Sequence, residues 1–210
     1  MYNVPHFKTS DKEEIIAFMH AHPFVMLCGV NEKNLPVVTH VPVLIEQRDD
    51  KLYLLAHVMR KQDHTKAFET NENILAVFYG AHAYVSASWY EQKQVASTWN
   101  YQAIHVRGTV KFLDDGGLYN MLTKLTDAFE QNPNSPSLVS KMDDAYIKSN
   151  MKAIIAFEIE VTDIQHVFKL SQNRDVKSYN NIIAELDTKD AESKVIAETM
   201  QQRKSKVFPS

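Results

Sequence analysis

Both tryptophans of the chain fall within eleven residues, in the segment Tyr84-Val85-Ser86-Ala87-Ser88-Trp89-Tyr90 … Thr98-Trp99-Asn100-Tyr101-Gln102-Ala103-Ile104-His105. Five large rings are interspersed there with two serines, a threonine, an asparagine and a histidine. Faces to stack on and a few donors to fix orientation are what a flat heteroaromatic ligand requires. On spacing alone, the same rings would equally suit a hairpin whose aromatics fill one end of a barrel.

Other chemistries find less support. Five glycines, none in a GxGxxG or Walker arrangement, argue against a Rossmann or P-loop nucleotide site, and no serine nucleophile elbow occurs. The nine histidines form no HExxH pair. His20 and His22 lack nearby partners at ligand spacing, and His57 with His64 is the best remaining pair. The sequence assigns no metal and no catalytic residue. The net charge of −3 lacks the basic stripe typical of nucleic-acid binding, and the one dense basic cluster, Arg203-Lys204-Ser205-Lys206, reads as a solvated tail. Nothing resembles a helix-turn-helix, so contact with DNA is expected only weakly or indirectly.

Cys28, the single cysteine, lies in the apolar run Phe24–Val30 and reads as an inert thiol in a reducing cytoplasm. No apolar run reaches membrane-spanning length, and the N-terminus lacks a signal-peptide layout. A cytoplasmic protein with no membrane partner is expected.

The elements that must position these residues follow from periodicity. Ser10-Asp11-Lys12-Glu13 reads as a capping box before a short helix carrying Ile15, Ile16 and Met19. Residues 24–30, 35–45 and 52–57 read as strands. In the second, Val37, Thr39, Val41 and Val43 share one face, with Val38, His40 and Pro42 on the other. A short helix over 61–70 precedes the strand 74–79. Beyond the aromatic segment, expected as a loop, Val106, Gly108, Val110 and Phe112 alternate with His105, Arg107, Thr109 and Lys111. A helix spans 115–131 with Leu118, Leu122, Leu125 and Phe129 on one face. A strand follows over 154–161. The tail is helical, with one stripe of Tyr179, Ile182, Ile183 and Leu186, another of Val195, Ile196 and Met200, and a break near 187–189. About six strands joined by short turns indicate an antiparallel barrel with peripheral helices.

The run SASWYEQKQVASTWNYQAIHVRGTV resembles the signature of the PaiB-type FMN-binding negative transcriptional regulators, of the FMN-binding split-barrel superfamily. Four further segments match in order: Met1-Tyr2 … Pro5-His6-Phe7, Thr39-His40-Val41-Pro42, Phe78–Tyr84, and Phe168-Lys169-Leu170-Ser171-Gln172-Asn173. Ala87, Ala96-Ser97 and Gln62-Asp63 stand where the family tends to carry proline-containing pairs, and Asp63 puts a negative charge in a turn expected to face a phosphate.

The resemblance implies a split antiparallel β-barrel of the pyridoxamine phosphate oxidase-like kind. Residues 1–173 would form the FMN-binding domain and 174–210 a helical extension packed on it. It implies FMN as cofactor, with Arg60 and Lys61 at the phosphate, since guanidinium grips phosphate bidentately and ammonium adds a point charge. Thr39 and His40 would offer donors to the ring. Ser86, Trp89, Thr98, Trp99 and Asn100 would form its wall, and Lys169 and Gln172 would complete the site, from a second subunit if the protein is the expected homodimer. The implied function is a negative regulator or flavin-responsive sensor. The alternative is a flavin- or haem-dependent oxidoreductase, since the superfamily also hosts such enzymes.

Overall fold

The computed structural model describes residues 1–209. Seven strands, β1 (Phe24–Val30), β2 (Pro36–Pro42), β3 (Leu44–Arg48), β4 (Lys51–Met59), β5 (Asn73–Val85), β6 (Thr98–Phe112) and β7 (Ile154–Lys169), form one sheet. Six α-helices accompany them: α1 (Lys12–Ala21), α2 (Asp63–Thr70), α3 (Asp115–Glu130), α4 (Asp144–Met151), α5 (Val176–Asp187) and α6 (Ala191–Val207). The strand order is β2-β1-β5-β6-β7-β4-β3, and the registered pairs are antiparallel: Val25 faces Val41, Leu27 faces Ala76, and Leu54 faces Ile159. This is the split-barrel class of sheet.

The strand expected over 35–45 is two strands. Proline has no N–H to extend the ladder beyond Pro42, and the Val43 amide turns to the Pro23 carbonyl, 2.9 Å away. The β1–β2 turn closes on Asn31, whose side-chain oxygen accepts from the Lys33 and Leu35 amides, with Asn34 left-handed at φ 58°. Alternation along β2 is as the pattern requires: Val37 and Val41 are buried, whereas Val38 is 48% exposed. In β6, Val106, Gly108 and Val110 are likewise buried. Gly108 is required by its neighbour, since a Cβ there would lie 2.3 Å from the Glu160 carbonyl oxygen of β7.

Three local expectations change. The α1 cap is Asp11 rather than Ser10: its carboxylate accepts from the Glu14 amide, its own amide donates to Thr9 Oγ1, and Thr9 Oγ1 donates to Glu14, so no reciprocal box forms. The aromatic segment is not all loop. Residues 87–89 make a 3₁₀ turn and β6 begins at Thr98, as strand-favouring Thr, Trp and Tyr allow. Helix α4, capped by Asp143 on the Tyr146 amide, buries Ile147 alone among its residues and so leaves no periodic trace.

The chain packs as two compact units. The first comprises residues 1–18, 79–104 and 165–210, and the second residues 19–78 and 105–164. The core of the first unit joins Ala83, Val85 and Tyr90 to Leu170 and to Tyr179, Ile182, Leu186, Ile196, Ala197 and Met200 of α5 and α6. Burial pushes the Tyr179 phenol up to about 12, and its hydroxyl donates to the Met200 carbonyl. In the second unit Leu118 and Met121 of α3 pack on Leu55 and Ala156. Its β1–β2–β5 face carries an apolar strip in which Phe24 is 57% exposed, Met26, Cys28, Leu75 and Val77 are half-buried, and the Phe24 and His40 rings stack at 6.1 Å.

Candidate functional site

The first unit builds a cleft of about 600 Å³ around the tryptophan segment. Strand β5 supplies His82 and Tyr84, the 3₁₀ turn supplies Ser86 and Trp89, β6 supplies Trp99, and the start of α6 supplies Lys189, Asp190, Glu192 and Ser193. Trp99 is 52% exposed, with the Tyr84 ring edge-on at 5.6 Å and the His82 ring tilted at 5.8 Å. His82 Nδ1 lies 3.1 Å from a Glu192 carboxylate oxygen, and the Lys189 ammonium stands 5.3 Å over the Trp89 ring.

Beneath this wall the polar residues are engaged with one another. Lys169 at the end of β7 donates to the Trp99 carbonyl at 2.7 Å and to Thr98 Oγ1. Desolvation, and secondarily the charge of Arg174, holds its ammonium below the usual lysine range. Asn100 is fully buried: its amide oxygen accepts from Ser171 Oγ at 3.0 Å and its amide nitrogen lies 3.3 Å from Met200 Sδ. Gln172 accepts from the Leu170 amide and donates to the Phe168 carbonyl, closing a turn in which Ser171 is left-handed at φ 61°. Ser86 Oγ caps the 3₁₀ turn by accepting from the Ser88 amide. Ser86, Asn100 and Gln172 thus shape the wall, whereas Trp89 and Trp99 present surface to the cleft.

The second unit holds Thr39, His40, Arg60 and Lys61. Arg60 closes β4, and its guanidinium pairs loosely with Asp115 at 3.8 Å, in a cleft of about 560 Å³ that Lys148 and Lys152 also line, with Asp115 and Asp144 as the acids. Lys61 follows in the left-handed region at φ 67° and is exposed. Asp63 belongs to the first turn of α2, where its carboxylate accepts from the His64 amide at 2.8 Å. Thr39 shares the inner face of β2 with Val37 and Val41, and His40 stands on the outer one, so the two side chains address opposite faces. His57 Nδ1 on β4 is buried without a hydrogen-bond partner, and burial lowers that imidazole below the usual histidine range. Among the described residues no group of three or more His, Cys, Asp or Glu side chains could hold a metal ion.

The donor set fits a phosphorylated planar cofactor. In the second unit Arg60 retains N–H groups for a phosphate in a cleft that two lysines also line, and the first unit by itself presents the exposed Trp99 ring. The seven-stranded split sheet defines the class of split-barrel proteins, and its cationic turn and its aromatic wall are each of a kind that suits part of a flavin cofactor. A family model described as "Putative FMN-binding domain" matches residues 1–163. The chain is 35% identical over 207 residues to "Protease synthase and sporulation protein PAI 2" of Bacillus subtilis (strain 168), covering 98% of this chain and 99% of that one. It belongs to the PaiB-type FMN-binding family, whose cofactor is FMN. Two solved structures share the fold: the FAD and haem binding protein from Mycobacterium smegmatis (TM-score 0.58, 15% identity, 77% of this chain and 72% of that chain) and the flavocytochrome Anf3 from Azotobacter vinelandii (TM-score 0.52, 15% identity, 77% and 68%).

Sequence reasoning missed the cleft's far wall. Glu192 meets His82 from 110 positions away, and Lys148 and Lys152 stand on and just after a helix without a clear pattern. The signal available was the acid-rich start of α6, Asp190-Ala191-Glu192, following Lys189.

Proposed function

We propose that this chain is a cytoplasmic flavin-responsive regulatory protein, which holds FMN through Arg60 and Lys61 at the phosphate and through Trp89 and Trp99 at the ring. The observation that carries this reading is the half-exposed Arg60 guanidinium, left with one loose ion pair in a cleft lined by further cations. Thr39 and His40 would offer donors to the flavin from opposite faces of β2, and the unpartnered Nδ1 of His57 on β4 is a further polar atom. Lys169 and Thr98 hold Trp99 in place, and Ser86, Asn100 and Gln172 fix the turns around it. FMN bound there would supply one- and two-electron redox chemistry, and the protein would set its orientation and its exposure to reactants. Regulation would pass through protein partners or the redox state of the flavin, because the net charge of −3 gives no footprint for DNA.

The functional form in this reading is a homodimer. Two-fold pairing through the β1–β2–β5 face would bury Phe24, Val38 and the half-wet Met26, Cys28, Leu75 and Val77 of both copies at once. Tyr90 of the tryptophan segment has no part in such an interface, since it is 1% exposed and already belongs to the core of the first unit. FMN titration, followed by flavin fluorescence and the visible spectrum, tests the cofactor reading. Steady-state oxidation of reduced nicotinamide by the loaded protein separates a regulator from an oxidoreductase: turnover at enzymatic rates would favour the latter. Light scattering at micromolar concentration tests the dimer, and a stable 24.1 kDa species would refute it.

A further inference from the structure

The cleft of the first unit has a charge preference that an FMN wall alone does not require. Both indoles already carry basic groups of the protein's own: the Lys189 ammonium lies 5.3 Å over Trp89, and the His82 ring lies 5.8 Å from Trp99. Glu192 stands at 3.1 Å from His82 and contributes negative charge on the Trp99 side. Tyr84 meets Trp99 edge-on, which leaves the indole, 52% exposed, open for stacking. Electron-rich ring faces attract cations, most strongly at tryptophan, and a nearby carboxylate adds to that attraction. A cleft of about 600 Å³ suits a molecule of one or two rings.

We infer that this cleft is a binding site for a planar, positively charged heteroaromatic molecule, stacked on Trp99 with its charge toward Glu192. The inference goes beyond the reading above: the ligand takes the Trp99 face which that reading gives to the flavin ring, so the ligand and FMN would compete for the cleft. Lys189 acts as an internal competitor: its ammonium holds the second indole until a better cation arrives.

The test uses the full-length protein, with and without added FMN, and three probes: 1-methylnicotinamide (planar cation), nicotinate (planar anion of the same ring) and tetramethylammonium (non-planar cation). Both tryptophans line the cleft, so their emission reports binding directly. Saturable quenching by 1-methylnicotinamide is expected, with weaker binding of the other two. Glu192→Gln should weaken that binding, and Lys189→Met should tighten it, each by about two- to thirty-fold, the range of a cation–ring interaction. Trp99→Leu should abolish it, with circular dichroism confirming the fold. Nicotinate binding more tightly than 1-methylnicotinamide, or binding lost in Lys189→Met, would overturn the proposal, as would equal affinity for tetramethylammonium. FMN affinity is measured separately in each variant. Normal FMN binding without probe binding defeats this inference alone, and probe binding without FMN binding defeats the flavin reading alone.

Discussion

Lys169 donates to the main-chain carbonyl of Trp99 at 2.7 Å and also to the Thr98 hydroxyl, so one half-buried ammonium fixes the start of β6 and with it the exposed indole. Hydrogen bonds from a charged donor contribute about 1.5–3 kcal/mol when the acceptors would otherwise stay unpaired. Lys169→Met is therefore expected to lower the stability of the protein by about that amount, read from urea unfolding, and to broaden the Trp99 emission.

Arg60 supplies the most direct test of the phosphate end. Arg60→Ala should weaken FMN binding by on the order of 1–3 kcal/mol, roughly 5- to 150-fold, with little change in thermal midpoint because the lost ion pair is loose and partly exposed. Flavin fluorescence titration reads the first quantity and circular dichroism the second. An unchanged affinity would remove Arg60 from the site.

Lys61 holds a left-handed conformation at φ 67°, which glycine adopts without penalty and L-residues do not. Lys61→Gly should thus be more stable than Lys61→Ala by about 1 kcal/mol in urea unfolding. FMN affinity should fall equally in both if the ammonium contributes charge, and only in the alanine variant if the turn geometry is what matters.

Gly108 allows β6 and β7 to approach where a side chain would strike backbone. Gly108→Ala should cost on the order of 2–3 kcal/mol, since strands must separate and a ladder cannot yield as a flexible side chain does. Differential scanning calorimetry checks this, and a variant as stable as the parent would show that the strands have room.

The pH dependence follows from four histidines held below the ordinary value, His22, His57, His105 and His166, in each case chiefly by burial. Burial holds His57 below the ordinary value, and burial together with the Lys8 charge does so for His166, whose Nε2 accepts from the Thr9 amide at 2.9 Å. A depressed folded value means the unfolded chain takes up protons first. The stability supplied by the neutral rings is complete above about pH 6.5 and is lost as pH falls through the folded values. The urea midpoint should fall between pH 7.5 and 5.5. His166→Gln, which keeps an acceptor but does not titrate, should flatten that fall.

Part of the sheet was legible because burial alternates along β2 and the second half of β6. Val37 and Val41 against Val38, and Val106, Gly108 and Val110 against Arg107, reveal two strands and their inner faces. Tyr179, Ile182 and Leu186 did the same for α5. The α6 stripe held at Ile196 and Met200 but not at Val195, which is 47% exposed, while Ser193 and Ala197 are buried beside them, because small residues can occupy a close helix contact as well as large ones. The site was legible where types are rare, at Trp89, Trp99 and Arg60. It was illegible where partners are common residues brought together by the fold: no local pattern joins Glu192 to His82, or Met200 to Asn100.

The interleaving of the two units sets an order of events as the chain leaves the ribosome. The second unit has all of its residues once position 164 has emerged, whereas the first must wait for 165–210, which carry Leu170, Tyr179, Ile182, Leu186, Ile196 and Met200. At about 5–20 residues per second that interval lasts roughly 2–9 s. Throughout it Val85, Tyr90 and the tryptophan segment have no apolar partner from the tail. Slow or interrupted synthesis of the last helices is therefore expected to lengthen the time for which these apolar side chains stay open to aggregation and to chaperones.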